Sequence, residues 1–347
     1  MTTDVGLDAD LLDNHLSFTA DYFIRRTRDM IALAPTPDYI GLGPAAANVA
    51  SLVNRGLELA LTYRNVAGKF RYDVNVNMTR IHNEVTDLGG ADPIASGNII
   101  SQLGNTTLTN VGRELAYFYG LKTDGIFHSQ AEIDAYIGPN GRIQPLAQPG
   151  DVKFLDVNGD GKIDSKDKTY LGSATPKFTY GGALTLGYGG FDFKVLLYGV
   201  QGVQAVNGLA AYLSRTADFT GTPYNYYATR LDRWTPGNPN TNEPRLSSTD
   251  ANKNNRFSDR MVEDASYLRA RNMELGYSLS KAFLTRYSVG GLRVFASVDN
   301  VFTITKYRGF DPEISDSGYY NNPLAYGVDY GNYPQPRTYR LGLNVQF

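Results

Sequence analysis

The chain has 347 residues, no cysteine and a formal charge of −2, from 33 Lys and Arg against 35 Asp and Glu. This balance excludes the basic surface needed to neutralise phosphates, so no nucleic-acid partner is expected, and the lack of Cys excludes disulfides, thiol nucleophiles and thiolate metal sites. Tyr (25) and Gly (36) are abundant and no run approaches the ~18 apolar residues of a membrane helix, a profile shared by soluble all-β proteins and by membrane barrels, whose interfaces favour Tyr.

Met1–Asp10 (MTTDVGLDAD) lacks the basic start and apolar run of an export signal. No strand is read in it, and an exported protein is expected to have its natural start elsewhere. Period-two alternation opens at Leu16, with Phe18, Ala20, Tyr22 and Ile24 on the same face. Leu57, Leu59, Leu61 and Tyr63 repeat it, as do Phe70, Tyr72, Val74, Val76 and Met78. At the C-terminus Tyr339, Leu341, Leu343, Val345 and Phe347 alternate with Arg340, Gly342, Asn344 and Gln346. A strand of a soluble sandwich needs only ~5–6 residues, whereas one crossing a bilayer at a tilt needs about 9–11. Length therefore selects an antiparallel transmembrane β-barrel wall.

Eight spanning strands are predicted, at 16–28, 53–64, 69–82, 176–188, 191–203, 266–279, 291–303 and 336–347. Their links alternate in length. Asn65–Gly68, Gly189–Gly190 and Ser280–Gly290 are short, and 29–52, 83–175, 204–265 and 304–335 are long. Outer-membrane barrels have short periplasmic turns and long extracellular loops, which puts the C-terminus in the periplasm. The strand-like segment Arg113–Phe127 must then contribute zero or two spanning strands, for a total of eight or ten. Tyr224–Trp234 is expected to form a short helix stopped by Pro236 and Pro239.

Asp156–Asp167 (DVNGDGKIDSKD) has the spacing of a calcium loop. Asp156, Asn158 and Asp160 would offer oxygens at positions 1, 3 and 5, Lys162 its carbonyl at 7, Asp164 at 9 and Asp167 at 12, with Gly161 making the turn. A Ca²⁺ bound there would be structural. Asp in place of Glu at position 12 argues against high affinity, and the alternative is an Asx-rich turn that binds no metal. No other cofactor is required.

His15, His82 and His128 have no ligand spacing, and no G-x-S-x-G elbow occurs. Glu263–Asp264 and the Asp311/Glu313 pair read as solvated surface charges. Tyr224, Tyr226, Tyr227, Trp234, Tyr319 and Tyr320 could stack on sugars or peptides, but loop packing or an aromatic girdle accounts for each singly. No catalytic constellation is found, so the chain is not expected to be an enzyme.

Several blocks in fixed order resemble the SusC/RagA family of TonB-linked outer-membrane proteins. They are GDVKFLDVNGDGKIDSKDKTYLGSATPKFTYGGALTLGY (Gly150–Tyr188), GFDFKVLLYGVQG (Gly190–Gly202), RWTPGNP (Arg233–Pro239), ASYLRARNMELGYSLS (Ala265–Ser280), VFASVDNVFTITKYRGFDPE (Val294–Glu313) and PQPRTYRLGLNVQF (Pro334–Phe347). The resemblance implies that residues 1–347 are the last strands of a barrel of about 22, with the export signal, plug and TonB-contacting segment outside them. It further implies oligosaccharide or peptide import across the outer membrane, with a SusD-like surface lipoprotein as lid and TonB as energy source. The 347 residues alone would not transport. A small self-contained barrel acting as adhesin or binding protein, or a soluble calcium-dependent module, are the alternatives.

Overall fold

The computed structural model describes residues 1–34, 45–90, 92–98, 103–217, 225–284, 286, 289–314 and 322–347. Nine long strands form one antiparallel sheet in chain order: β1 (Thr2–Leu11), β2 (Leu16–Ala34), β3 (Ala45–Asn65), β4 (Phe70–Asp87), β5 (Phe178–Tyr188), β6 (Phe191–Gln201), β7 (Tyr267–Ser278), β8 (Gly291–Thr305) and β9 (Thr338–Gln346). Among the described residues β1 pairs only with β2, and β9 only with β8.

Register carries the two-faced pattern across the whole sheet. One row runs Leu11, Leu16, Tyr63, Val74, Leu184, Val195, Met273, Val298, Tyr339 through all nine strands. The next row, one residue along and hence on the other face, runs Asp10, Ser17, Thr62, Asn75, Ala183, Leu196, Asn272, Asp299, Thr338. The apolar face is not buried within this chain, since Leu341 is 88% and Leu343 66% exposed. On the polar face, side chains bond across strands: Asn75 Nδ2 donates to Thr62 Oγ1 at 2.7 Å, and Asn272 Nδ2 to Asp299 Oδ1 at 2.8 Å. Arg293 there clasps Asp192 and, at 2.7 Å, Glu274. Such a sheet suits hydrocarbon on one side and water on the other.

Nine strands stand where eight were expected, because β1 was not foreseen. It folds back on β2 through Leu12, Asp13 and Asn14, all at positive φ (+55°, +53°, +65°). Asp and Asn tolerate this conformation; Leu does so at a cost. The β2–β3 ladder also runs on to Ala34 and Ala45, so the expected long link 29–52 shrinks to 35–44, outside the described residues. Arg113–Phe127 adds no spanning strand, and its two short strands, Tyr117–Gly120 and Thr123–Ile126, belong to small sheets. Of the zero or two spanning strands that the parity of the links allowed for this segment, the sheet contains zero.

Links 12–15, 66–69, 189–190 and 279–290 are short and share one end of the sheet. The links at the other end fold together. Tyr117–Gly120 joins a four-stranded sheet with Ile94–Ser96, Thr107–Thr109 and Thr169–Gly172, while Gln204–Asn207 pairs with Val262–Asp264 and Val328–Asp329. Phe118, Val206, Phe257 and Val328, each at most 1% exposed, form one core from three separate links. Full burial of each such side chain contributes roughly 1.5–3 kcal/mol. The links are therefore a packed body on the rim of the sheet.

Candidate functional site

This rim body is ordered by buried polar pairs. Asp151, fully buried, accepts from Arg245 Nε at 2.6 Å and from Asn254 Nδ2 at 2.9 Å. Asn254 Oδ1 accepts from Val152 N, and Gln144 bridges Val152 O and Phe154 N. Arg230 is 2% exposed and donates to Glu243 at 2.9 Å and to Pro244 O at 2.9 Å. Burial pulls its pKa down, the Glu243 carboxylate opposing.

Asp311 and Glu313, expected to be solvated, are clamps instead. Arg269 in β7 donates to Asp311 at 2.6 Å and Glu313 at 3.0 Å, and Arg271 to Glu313 at 2.6 Å. Glu263 likewise holds Arg308, at 2.8 Å. The two-residue spacing of Arg269 and Arg271, matched by that of Asp311 and Glu313, is the signal by which this pairing could have been found in the sequence.

The Asp156–Asp167 loop folds as a nest of Asx turns. Asp156 accepts from Gly159 N (2.8 Å) and Gly161 N (2.8 Å), and Asn158 Oδ1 from Asp160 N (2.9 Å). Asp167, wholly buried, accepts from Val157 N at 2.9 Å and Asp164 N at 2.8 Å. The Lys162 ammonium lies 2.9 Å from Asp164, which raises the Lys162 pKa through that bond; Asp164 is lowered by the Lys166 N–H first and Lys162 second. Asp160 Oδ1 is buried without a partner. Among the described residues no group of three or more His, Cys, Asp or Glu is placed to hold a metal ion.

The three histidines are apart; His15 Nδ1 meets Arg64 O and His128 Nδ1 meets Pro239 O, both at 2.7 Å. The helix foreseen over Tyr224–Trp234 is a short 3₁₀ turn, Ala228–Asp232. Arg215 stacks on Tyr226, 4.6 Å from its centroid, and Trp234 packs on Gly150, so both aromatics serve loop packing. Tyr224, Tyr319 and Tyr320 lie outside the described residues. At the short-link end Tyr63, Phe70, Tyr72, Tyr188, Phe191 and Tyr277 gather, with Phe191 and Tyr277 only 4.6 Å apart. A band of this composition marks a membrane interface.

Residues 1–301 match the family described as TonB dependent receptor-like, beta-barrel. The chain belongs to this family. It is 30% identical to TonB-dependent receptor P3 of Formosa agariphila over 99% of its length and 34% of the relative. To TonB-dependent receptor SusC of Bacteroides thetaiotaomicron it is 29% identical, over 100% of the chain and 32% of SusC. The structure of the RagAB peptide transporter superposes on the whole chain with a TM-score of 0.79 at 23% identity, covering 35% of that chain. The resemblance to the SusC/RagA barrel is thus shown, and the chain spans about a third of the length of the curated relatives it matches.

Proposed function

We propose that this chain is the barrel-wall and outer-loop part of an outer-membrane importer for oligosaccharides or peptides, working with a SusD-like surface lipoprotein and drawing energy from TonB. The observation that carries the reading is the nine-strand sheet with one continuous apolar face, one ion-paired polar face and its long links packed together at one end. The named relatives support it: one is SusC and one solved neighbour is a peptide transporter. The apolar face meets outer-membrane lipid, the polar face lines a wet passage, and the chemistry is passage rather than bond-breaking. Among the described residues β1 and β9 have one neighbour each, which supports the reading that these residues alone do not transport.

In this reading the C-terminus and short links are periplasmic and the packed links extracellular. These 347 residues have no Cys, so in the full-length protein, with any cysteine elsewhere replaced, Asn140→Cys in the links and Ala67→Cys in a short link can be labelled separately. A membrane-impermeant maleimide should mark the first in intact cells and the second only after permeabilisation. The reverse pattern would overturn the orientation. Deleting the gene should abolish uptake of either a fluorescent oligosaccharide or a fluorescent peptide; unchanged uptake of both across panels of each sinks the import reading.

For the Asp156–Asp167 loop we propose a structural role that requires no ion. Its carboxylates already accept several backbone N–H bonds, so any Ca²⁺ binding at Asp160 falls in the weak range of about 10⁻⁴–10⁻³ M seen in extracellular modules.

A further inference from the structure

A cavity of about 390 Å³ opens inside the rim body, bounded by Ala210 and Ala211 of the short helix Gly208–Leu213, Thr216, Pro244, Ser258 and Met261, among others. The volume is in the range of small-ligand pockets. Its polar groups are unusual in what they lack. Asn255 is 5% exposed and Ser258 1%, yet Asn255 Nδ2 and Ser258 Oγ have no hydrogen-bond partner. The amide is oriented by Thr216, whose N–H (2.9 Å) and hydroxyl (3.1 Å) both meet Asn255 Oδ1. A backbone N–H can only donate, so the oxygen must face Thr216 and the NH₂ is the unpartnered end. Buried polar groups are rarely left so.

The cations around the cavity are unequal. Arg308 is paired with Glu263 at 2.8 Å, and Arg230, behind the wall, with Glu243 at 2.9 Å. Arg260, on the wall, has no carboxylate within ion-pair distance among the described residues; its bond is to Asn242 O, at 3.3 Å. Burial draws its pKa down, with Glu243 and Asp259 opposing from nearby, and an arginine stays charged through such shifts. The cavity lining therefore includes the Arg260 guanidinium, an amide N–H and a hydroxyl beside Ala210, Ala211, Pro244 and Met261, with the buried Arg215 on the same lining and the Glu243 carboxylate there already engaged by Arg230.

We propose that this cavity binds a ligand through a carboxylate. An acceptor-only monoanion fits these donors, and the nearby Glu243 and Asp259 charges disfavour a dianion such as phosphate. The carboxylate can be the C-terminus of a peptide or the uronate of an acidic oligosaccharide. The inference deepens the import reading and rests on it for its purpose, although binding itself is measured without transport.

The test uses the full-length protein in detergent and isothermal titration with N-acetyl-trialanine against its C-terminal amide, trigalacturonate against its methyl ester, and inorganic phosphate. At least one free acid should bind, with its neutral counterpart weaker by roughly tenfold or more, as expected when a charge-assisted hydrogen bond is lost. Arg260→Gln should weaken the acid by a similar factor and leave the neutral ligand unchanged. Ser258→Ala, which only removes a buried hydroxyl, should weaken it less and carries the test if Arg260→Gln fails to fold. Equal binding of acid and neutral forms, tighter binding of phosphate, no binding of either acid, or an unchanged affinity in both variants would each overturn the proposal. Cellular uptake of the same compounds is scored separately. Binding without uptake counts against import, and uptake without Arg260-dependent binding counts against the site.

Discussion

Arg269 and Asp311 meet at 2.6 Å with both side chains almost out of solvent, 3% and 7% exposed. The pair ties the link after β8 to β7, and Asp311 also accepts from Glu313 N at 2.9 Å. Breaking a buried pair by removing one partner leaves an uncompensated charge and costs about 3–5 kcal/mol. Arg269→Met should therefore lower the thermal stability of the rim body markedly and make the 306–337 link an early site of proteolysis. Glu313→Gln, at a half-exposed partner, should do much less. Equal protease resistance in Arg269→Met and the parent would show the clamp to be dispensable.

Gly342 in β9 is covered by the ring of Phe295 in β8; a Cβ there would lie 2.3 Å from Cζ. A strand glycine is weak by itself, and a cross-strand aromatic laid over it restores packing. Gly342→Val should displace the ring at a cost of about 1–3 kcal/mol and lower the fraction of protein that migrates as folded, heat-modifiable barrel. Adding Phe295→Ala should recover part of that loss, because the two substitutions share one contact. Strictly additive losses would reject the coupling.

These two contacts show where local pattern informs and where it stops. Each row of the sheet is legible because alternation repeats in every strand, and eight strands could be placed, although Leu16–Ala34, Ala45–Asn65 and Phe70–Asp87 extend well past the predicted 16–28, 53–64 and 69–82 at the long-link end. Strand β1 does alternate, Val5, Leu7, Ala9 and Leu11 against Asp4, Gly6, Asp8 and Asp10, but its apolar face is short and its turn uses Leu12 rather than glycine at positive φ, so no glycine turn signal marks it. The 156–167 loop was legible as a unit, since all its donors and acceptors are neighbours in sequence. The rim cavity was not. Its parts come from residues 210–216, 243–244 and 255–261, and the pairing that supports it, Asp151 with Arg245, joins residues 94 apart. No local period records such contacts.

Tyr307 donates to Asp329 at 2.6 Å, with both residues buried. Burial first, and the Asp329 carboxylate second, hold the phenol far above its ordinary pKa. In the unfolded chain a tyrosine ionises near pH ~10, while in the fold it keeps its proton. Above that point the folded state binds the extra proton, so this group's contribution is complete below about pH 10 and is lost as pH rises toward the folded pKa. Tyr307→Phe should cost about 1.5–3 kcal/mol at neutral pH, as for a hydrogen bond to a charged group, and should flatten the alkaline loss of stability between about pH 10 and 11. Unfolding midpoints across that range, compared with the parent, check it; parallel curves would remove Tyr307 as a source of the alkaline arm.

The Asp156–Asp167 loop supplies the last expectation. Asp167 is fully buried and both of its oxygens already accept backbone N–H groups, from Val157 and Asp164. Asp160 has one buried oxygen without a partner, so it is the member of the set most open to an added cation. Removing divalent ions with EGTA should leave the unfolding midpoint unchanged, and titration should give binding no tighter than about 10⁻⁴ M. Asp167→Ala should unfold the loop whether or not Ca²⁺ is present, because it strips partners from buried N–H groups at about 1–3 kcal/mol each. Asp160→Asn should leave the fold intact and abolish any weak binding. A midpoint that falls on chelation, or micromolar affinity lost in Asp160→Asn, would make the ion part of the fold.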